Sequence, residues 1–424
     1  MTDRAWMGAV ITAARPKALA ALVRYFRDLD TAEEAFQEAS LRALRNWPTN
    51  GPPRDAAAWL ILVGRNSGID HVRRARRSEP LPPDGDVSDL SDQETPTIER
   101  VDAADYRDDV LRLMFICCHP DLPTTQQIAL ALRIVSGLSV SQIARAFLVG
   151  DAAMEQRITR AKARVAKAAA AFEPPGPVER PARLAAVAAM IYLVFNEGYS
   201  AGPDAGDDKI GLADEAIRLA RLLLQLFAAE PEVMGLLALL LLQHSRRPAR
   251  FDTTGEAVPL DEQNRRLWRR PLISEGLALV DKALRHRQPG PYQVQAAIAA
   301  LHARASKAED TDWSEIDLLY GALERISPSP VVTLNRAVAV AKSRGPALAL
   351  AMIEPLSGSL SGYFYFHGVR GAFLIDLKRT DEARRAFGQA LALATTATEA
   401  AHIRRQIDRL QASRPDKRPD DASI

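Results

Sequence analysis

The sequence predicts an all-α protein with several domains, and three features of the chain support this prediction. Apolar residues recur at the helical spacing of three or four positions, for example at Met154, Ile158, Ala161 and Val165. Acidic and proline-rich segments interrupt these helical stretches. The chain is also long, and 424 residues with 47% hydrophobic side chains can fill two or more separate cores.

Charged and proline-rich segments set the predicted domain boundaries. Residues 78–105 are rich in acidic residues, proline and glycine, which predicts a flexible acidic linker. The segment EPPGPVERP at 173–181 predicts a second, proline-rich linker. The helical blocks and the tail that result are 1–77, 106–172, 182–412 and a disordered 413–424.

Composition narrows the classes of protein only in part. The formal net charge of +2 excludes no class of partner. The two cysteines, Cys117 and Cys118, are adjacent, so we expect no disulfide framework and a reducing compartment. Charged residues interrupt the N-terminal apolar run, and the runs at 184–195 and 234–242 are shorter than the ~20 residues of a membrane span. We therefore expect a cytoplasmic protein that does not enter the membrane.

The first block predicts two amphipathic helices with a cationic end. An apolar stripe that includes Ala32 and Phe36 defines the first helix, with Asp30 or Thr31 as its expected cap and WPTNGPP at its end. The second helix, residues 57–77, ends in a cluster of arginines. Such a cluster suits nucleic-acid phosphates, although it would equally complement the helix dipole in solvent.

Residues 141–165 predict a helix-turn-helix. Ile143 and Phe147 lie on the apolar face of a first helix, and a tight turn separates it from the second. In that turn Gly150 can adopt a left-handed conformation, and Asp151 is placed to cap the second helix. The outer face of the second helix carries cations and amides that can bond phosphates and base edges, or can simply be solvated.

The third block predicts a helical repeat. Ala349 and Ala383 are 34 residues apart, and Gly371, Phe387 and Ala390 reproduce the spacing of a tetratricopeptide (TPR) repeat. Stacked pairs of such helices leave a concave surface that can bind a protein or a small molecule. The alternative is a plain helical array without a ligand.

In this order, the segments resemble an extracytoplasmic-function (ECF, group 4) RNA polymerase sigma factor, a bacterial class that keeps only sigma regions 2 and 4. AEEAFQEASLRAL at 32–44 is similar to region 2.2, and residues 57–77 are similar to regions 2.3 and 2.4. Residues 109–165 resemble region 4. Phrases such as FNEGYSAG at 195–202 resemble the long C-terminal TPR-like extension of one ECF subfamily.

The resemblance implies a protein that binds core RNA polymerase, through the β′ clamp and the β flap, and promoter DNA. The residues implied to contact the β′ clamp are Glu34, Gln37 and Glu38. Those implied to contact the −35 element are Gln156, Arg157, Arg160, Lys162 and Arg164. Those implied to contact the −10 element are Asn50, Arg54, Arg65, Asn66, Asp70, Arg73 and Arg74. Ala152 and Ala153 replace the usual Gly-Thr pair of the family, so no −35 sequence preference is implied.

Polar and aromatic residues set among the apolar helices after residue 182 are candidates for lining a groove for a protein or a small molecule. They are Asn196, Glu197, Tyr199, Arg246, Arg247, Asp312, Trp313, Asn335 and Arg336. They could equally be buried anchors that fix helix packing.

The remaining motifs predict no metal, cofactor or catalytic site. CCHP at 117–120 lacks the second pair of ligands that a zinc site needs, so its cysteines are expected in the core. No nucleophile with a base, paired carboxylates or phosphate-binding glycine loop is evident, so no enzymatic activity is expected. Two alternatives to a sigma factor stay open: a one-component helix-turn-helix regulator with a ligand- or protein-binding TPR-like domain, and an enzyme or TPR scaffold.

Overall fold

The computed structural model describes residues 5–51, 53–77, 103–147, 149–167, 179–200, 207–253 and 255–412. In these residues the regular structure is eighteen α-helices, a few 3-10 turns and one isolated bridge between Phe251 and Ala257. The all-α prediction is confirmed. No helix in the described ranges has both the length and the apolar character of a membrane span.

Most of both predicted linkers falls outside the described residues, as does the whole of the predicted tail at 413–424. The helices form two compact units. The first comprises Met1–Tyr199 and Asp207–Leu226, and the second comprises Ser200–Gly206 and Phe227–Ile424.

Three helices begin the first unit: α1 (Ala5–Phe26), α2 (Leu29–Asn50) and α3 (Ala56–Arg77). Each packs against the other two. The N-cap of α2 is Asp28, whose carboxylate accepts from the Thr31 backbone N–H at 2.7 Å. The expectation of Asp30 or Thr31 as the cap was therefore wrong, because Leu29 is buried and already belongs to the helix.

Four further helices follow in this unit: α4 (Ala103–Cys117), α5 (Thr124–Ile134), α6 (Val140–Ala146) and α7 (Asp151–Lys167). The predicted helix-turn-helix is formed by α6 and α7, and the four apolar residues of the α7 stripe are all buried. Ser139 and Gln142 form a capping box at the start of α6. Gly150 does not adopt the left-handed conformation that is open to it; the left-handed glycine in the described residues from α4 to α7 is Gly137, with φ 74°.

Two more helices, α8 (Arg180–Ser200) and α9 (Asp207–Leu226), also belong to the first unit. α9 packs against α6 and α4, and a Cβ added at Gly198 in α8 would lie 2.4 Å from the Ala213 backbone nitrogen in α9. Arg183 donates to the Phe115 carbonyl of α4 at 2.8 Å. The first unit thus extends beyond the boundary predicted at residues 173–181.

Nine helices make up the described part of the second unit, and most neighbours in the chain pack on each other. Five begin with proline in the first turn, where the missing N–H costs nothing. The nine are α10 (Pro231–Ser245), α11 (Arg270–Leu284), α12 (Pro291–Arg304), α13 (Trp313–Ile326), α14 (Pro330–Arg344), α15 (Pro346–Ile353), α16 (Phe364–Asp376), α17 (Thr380–Leu393) and α18 (Ala397–Ala412).

Small residues allow close helix packing at the end of the second unit. Ala383, Phe387 and Ala390 of α17 are buried, as is Ala349 of α15. A Cβ added at Gly371 in α16 would lie 2.6 Å from Phe387, so this position requires glycine for contact between the two helices. The packing explains the small and aromatic pattern from which the TPR-like repeat was predicted.

Candidate nucleic-acid interface

The outer face of α7 carries a group of polar side chains that point away from the core. Gln156 and Arg160 are exposed and one helical turn apart, and Arg157 beside them is half-buried. In the described part of the chain, none of the three makes a hydrogen bond or an ion pair with another residue. Their amide and guanidinium donors are therefore available to an external acceptor.

Arg164 lies one turn beyond Arg160 and is also exposed. Its guanidinium donates to the backbone carbonyl of Asp121 at 3.4 Å, a long hydrogen bond that leaves most of its donors unused. A phosphate oxygen could take up those donors without breaking the fold.

Lys162 differs from the other predicted DNA contacts, because it is already paired within the chain. Its Nζ lies 2.6 Å from Asp30 Oδ1 and 2.9 Å from Glu33 Oε2 on α2, and its side chain is only 16% exposed. Burial lowers the pKa of Lys162, but the two carboxylates raise it by more, so the net pKa is above its ordinary value. The ammonium group is therefore charged, and two acids of α2, far from it in the sequence, hold it in place.

Glu33 is the buried centre of this arrangement, and the sequence analysis did not single it out. Its carboxylate is 5% exposed and also lies 2.7 Å from Arg133 on α5 and 3.6 Å from Arg15 on α1. Arg15 donates further to the Ile134 carbonyl and stacks on Phe36. Arg133 and Lys162 lie a hundred residues or more from Glu33 in the chain, and Ile134 lies 119 residues from Arg15, so no local spacing could have indicated these contacts.

The residues predicted to contact the −10 element lie at the end of α2, in the loop that follows it, and along the middle and end of α3. Arg54 is exposed in the loop, and Arg65 is exposed on α3, where its guanidinium stacks 4.3 Å from the Tyr25 ring. Asn66 is half-buried. The side chains of the other four, Asn50, Asp70, Arg73 and Arg74, lie outside the described residues.

The outer face of α2 combines acids, an amide and exposed leucines. Glu34, Gln37 and Glu38 are all exposed, as predicted for a polymerase-binding surface. Leu41 and Leu44, on the same face, are 52% and 44% exposed. Leu41 follows Gln37 by four residues and Leu44 follows Leu41 by three, so helical spacing places both leucines beside the acids, although neither was predicted from the sequence as a contact.

The candidate groove residues do not form one set in the structure. Asn196, Glu197 and Tyr199 lie on α8 in the first unit, where Tyr199 stacks on Phe195 at 5.3 Å. Asn196 hydrogen-bonds the hydroxyl of Tyr192 one turn earlier, whose pKa burial raises. The other six candidates lie in the second unit.

Within the second unit, most of these candidates make structural contacts. Asp312 caps α13 by accepting from the Glu315 backbone N–H at 2.9 Å, and Trp313 packs edge-on against His302. Burial and the charges of Arg246 and Arg265 lower the pKa of His302 to about 4, so the imidazole is neutral at neutral pH. These contacts favour the anchor alternative for Asp312 and Trp313.

Arg247, Asn335 and Arg336 occupy different settings. Arg247 begins a 3-10 turn after α10 and is half-buried, while Asn335 is exposed on α14. Arg336 donates to Asp317 at 2.8 Å and to Glu324 at 2.6 Å, which makes it part of an internal charge network.

The two cysteines occupy the core, as predicted. Cys117 and Cys118 are 0% and 1% exposed. Burial raises the pKa of Cys118 to about 12 and that of Cys117 well above its ordinary value, so both thiols stay protonated and unreactive. The described side chains contain no group of three or more histidine, cysteine or acidic ligands placed to hold a metal ion.

Three family models match the chain. Sigma-70 region 2 matches residues 10–78, which cover most of α1 and all of α2 and α3. Sigma-70 region 4 matches residues 112–165, which include the helix-turn-helix. A family of unknown function (DUF6596) matches residues 183–284, from α8 to the end of α11.

Two curated proteins are similar to this chain in sequence, one over nearly its whole length and one over the sigma regions alone. An uncharacterized protein of Rhizobium meliloti is 67% identical over 412 residues, which cover 97% of each chain. An RNA polymerase sigma-H factor of Pseudomonas aeruginosa is 30% identical over 159 residues, which cover 36% of this chain and 80% of that protein. Together with the two sigma-region matches, this similarity shows that the chain belongs to the RNA polymerase sigma factor family.

Proposed function

We propose that the protein is a group 4 (ECF) sigma factor that binds core RNA polymerase and directs initiation at promoters with −35 and −10 elements. The observation that carries the proposal is the presence of regions 2 and 4 in one chain, each with an exposed polar face at the predicted position. The protein acts as a dissociable specificity subunit and contributes no covalent chemistry. Such a role places it in the cytoplasm with the polymerase.

At the −35 element, α7 lies in the major groove of the DNA. Gln156 can bond adenine and Arg160 can bond guanine, each through two hydrogen bonds to the base edge. Arg157 belongs to the same base-facing group, and Lys162 and Arg164, which come later in the helix, bind the phosphates. The unpaired donors of Gln156 and Arg160 support this assignment.

At the −10 element, α3 and the loop before it bind the strand that is being opened. Asn50 and Arg54 read a base in the loop, while the cations of α3 neutralise the backbone of the strand. The cations in this role are Arg65, Arg73 and Arg74, while Asn66 and Asp70 make polar contacts to the splayed bases. The exposed position of Arg54 and of Arg65 supports the proposal.

The outer face of α2 binds the β′ clamp of the polymerase, and region 4 contacts the β flap. Leu41 and Leu44 form the apolar centre of the α2 surface, and Glu34, Gln37 and Glu38 form its polar rim. This pattern matches the apolar core and polar rim of protein interfaces.

The helices after α7 modulate this activity as a TPR-like domain that binds a protein or a small molecule. The close packing of α16 on α17 around Gly371 and Phe387 supports a repeat of this kind. Two nominated groove residues keep half-buried or exposed side chains, Arg247 in the 3-10 turn after α10 and Asn335 on α14, and they are the better candidates for ligand contact.

Run-off transcription with core RNA polymerase on the DNA upstream of the gene tests the proposal. We expect specific initiation with the wild-type chain and at least a tenfold loss with the double variant Leu41→Asn, Leu44→Asn, because each leucine loses buried apolar contact with the polymerase. Leu348→Asn is the matched control, since Leu348 is 45% exposed on α15, and it should leave initiation unchanged. If the chain binds this DNA alone and never initiates, it is a one-component regulator instead.

A further inference from the structure

A cluster of five charged side chains joins sigma region 2 to sigma region 4 within the first unit. Its members are Arg15 of α1, Asp30 and Glu33 of α2, Arg133 of α5 and Lys162 of α7. We refer to these five residues as the charge cluster. It is the only place in the described chain where α7 is tied by ion pairs to region 2.

The charge cluster has a buried part and an exposed edge. Glu33 is 5% exposed and its carboxylate meets three cations, so removing this acid would leave uncompensated buried charge. Asp30 is 65% exposed and contacts only Lys162 among the cluster cations. The Asp30–Lys162 pair is thus open to solvent and to salt screening, and it is the contact that another anion can replace most easily.

The start of α2, which carries Asp30, lies beside one flank of α7. Asp28, Leu29 and Asp30 at the start of α2 face a flank of α7 across a narrow cleft, and the α7 residues that line the cleft are Thr159, Lys162, Ala163 and Ala166. The opposite flank, which carries Arg157 and Arg160, faces away from this cleft. Region 2 therefore lies beside the flank of α7 that contains Lys162, and it partly buries that lysine while Thr159, Ala163 and Ala166 stay exposed in the cleft.

DNA binding and this packing exclude each other on steric and electrostatic grounds. The major groove is about 12 Å wide, and a helix with its side chains is about 10–12 Å across, so a helix in the groove meets DNA on both flanks. The start of α2 occupies one of those flanks. Two acids at the start of α2, Asp28 and Asp30, also lie on the side of α7 that the DNA phosphates would occupy, and their negative charges would repel the phosphates.

We propose that the charge cluster is an autoinhibitory contact, in which Asp30 and Glu33 hold Lys162 and keep region 2 over one flank of α7 until DNA or polymerase displaces it. The inference rests on the proposed role of α7 in promoter binding. The ligand that competes with Asp30 is a phosphate group of duplex DNA, because both are anions that bind the same ammonium group. Release frees Lys162 for the phosphate contact and opens the flank of α7 that faces the start of α2.

The first test compares duplex DNA binding by two full-length variants that each lose one exposed carboxylate. Asp30→Asn weakens the charge cluster, whereas Asp121→Asn removes a 75% exposed acid that contacts no cation of the cluster. By fluorescence anisotropy with the labelled upstream duplex, we expect Asp30→Asn to bind about three times more tightly than wild type, the scale of one exposed ion pair. Asp121→Asn should differ from wild type by much less. Equal gains in the two variants would mean that only total charge matters, and the proposal would be wrong.

The second test fixes the closed arrangement covalently. The double variant Asp30→Cys, Ala166→Cys has one thiol on each side of the cleft, and a short bis-maleimide joins the two in the full-length protein. The native cysteines are buried and protonated, so they do not compete for the reagent. We expect the cross-linked protein to bind the duplex at least ten times more weakly than the same double variant with its cysteines capped singly.

The two tests separate failure of this proposal from failure of the proposed function. Equal binding by the cross-linked and singly capped proteins would overturn autoinhibition while leaving DNA binding by α7 intact. Absence of duplex binding by wild type, by Asp30→Asn and by the capped variant, at low salt and with core polymerase present, would overturn the promoter-binding role of α7 and the autoinhibition with it.

Discussion

Arg336 shows how a polar residue nominated for ligand binding can serve as a structural anchor. Its guanidinium spans two acids, Asp317 at 2.8 Å and Glu324 at 2.6 Å. Asp317 is 1% exposed and is also contacted by Arg344. The hydrogen bonds that Arg336 donates to Asp317 and Glu324 raise the pKa of Arg336, so its guanidinium stays charged and compensates both carboxylates.

We expect Arg336→Ala to destabilise the second unit by about 2 kcal/mol, because it removes a main partner of a buried carboxylate while Arg344 remains. Urea denaturation followed by circular dichroism measures the change. The neighbouring Asn335→Ala is the control, and since Asn335 is exposed it should change stability by less than about 0.5 kcal/mol. A larger loss for Asn335→Ala than for Arg336→Ala would contradict the anchor role.

Single residues also mark the limit of what the sequence can predict about the site. The outward direction of Gln156, Arg157 and Arg160 follows from helical spacing alone, and the structure agrees. The pairing of Lys162 with Asp30 does not follow from spacing, because 132 residues separate the two. Periodicity locates a side chain on its own helix, but its partner on another helix depends on the tertiary packing.

Among the elements, α2 and the turn before α6 show where local patterns mislead. Asp28, Asp30 and Thr31 are all good cap residues, and the burial of Leu29 decides in favour of Asp28. In the same way, Gly150 and Gly137 both stand in turns before a helix. Only Gly137 is left-handed, with φ 74°, and it lies against Arg15 of the charge cluster.

Gly137→Ala should therefore destabilise the first unit by about 2 kcal/mol. A left-handed alanine costs about 1–2 kcal/mol, and its Cβ would lie 2.7 Å from Arg15 Cδ, so the arginine would have to move. Thermal denaturation of the full-length variant gives the shift. Gly150→Ala provides the comparison, because nothing lies within 4 Å of its added Cβ and its φ is not positive. Equal shifts for the two variants would show that the Gly137 geometry has no energetic weight.

For the whole molecule, the sequence predicted the helical class and the order of the blocks but placed a boundary too early. The proline-rich segment at 173–181 suggested that a new domain begins at 182, yet α8 and α9 belong to the first unit. Composition can show where a proline-rich segment interrupts the helices, but it cannot show against which hydrophobic core the next helix packs. The apolar residues of α9, such as Leu212 and Leu219, are buried although their sequence would suit either unit.

This division of the chain predicts which fragment of the sigma factor is stable by itself. A fragment of residues 1–226 keeps α8 and α9, whereas a fragment of residues 1–180 loses the α9 contacts with α4 and α6 and the hydrogen bond from Arg183 to Phe115. Exposure of that apolar surface should lower the stability of the shorter fragment by several kcal/mol, at about 25 cal/mol per Å² of apolar area.

Urea denaturation of both fragments, with limited proteolysis as a second measure, tests this prediction. We expect the 1–226 fragment to unfold in one cooperative transition at a higher urea concentration, and the 1–180 fragment to be cleaved faster between α4 and α7. Arg183→Ala within 1–226 should shift its stability part of the way toward the shorter fragment, while Arg180→Ala, an exposed arginine one turn earlier, should not. Identical unfolding of the two fragments would instead mean that region 4 is complete before α8, with the following helices packed on it at no gain in stability.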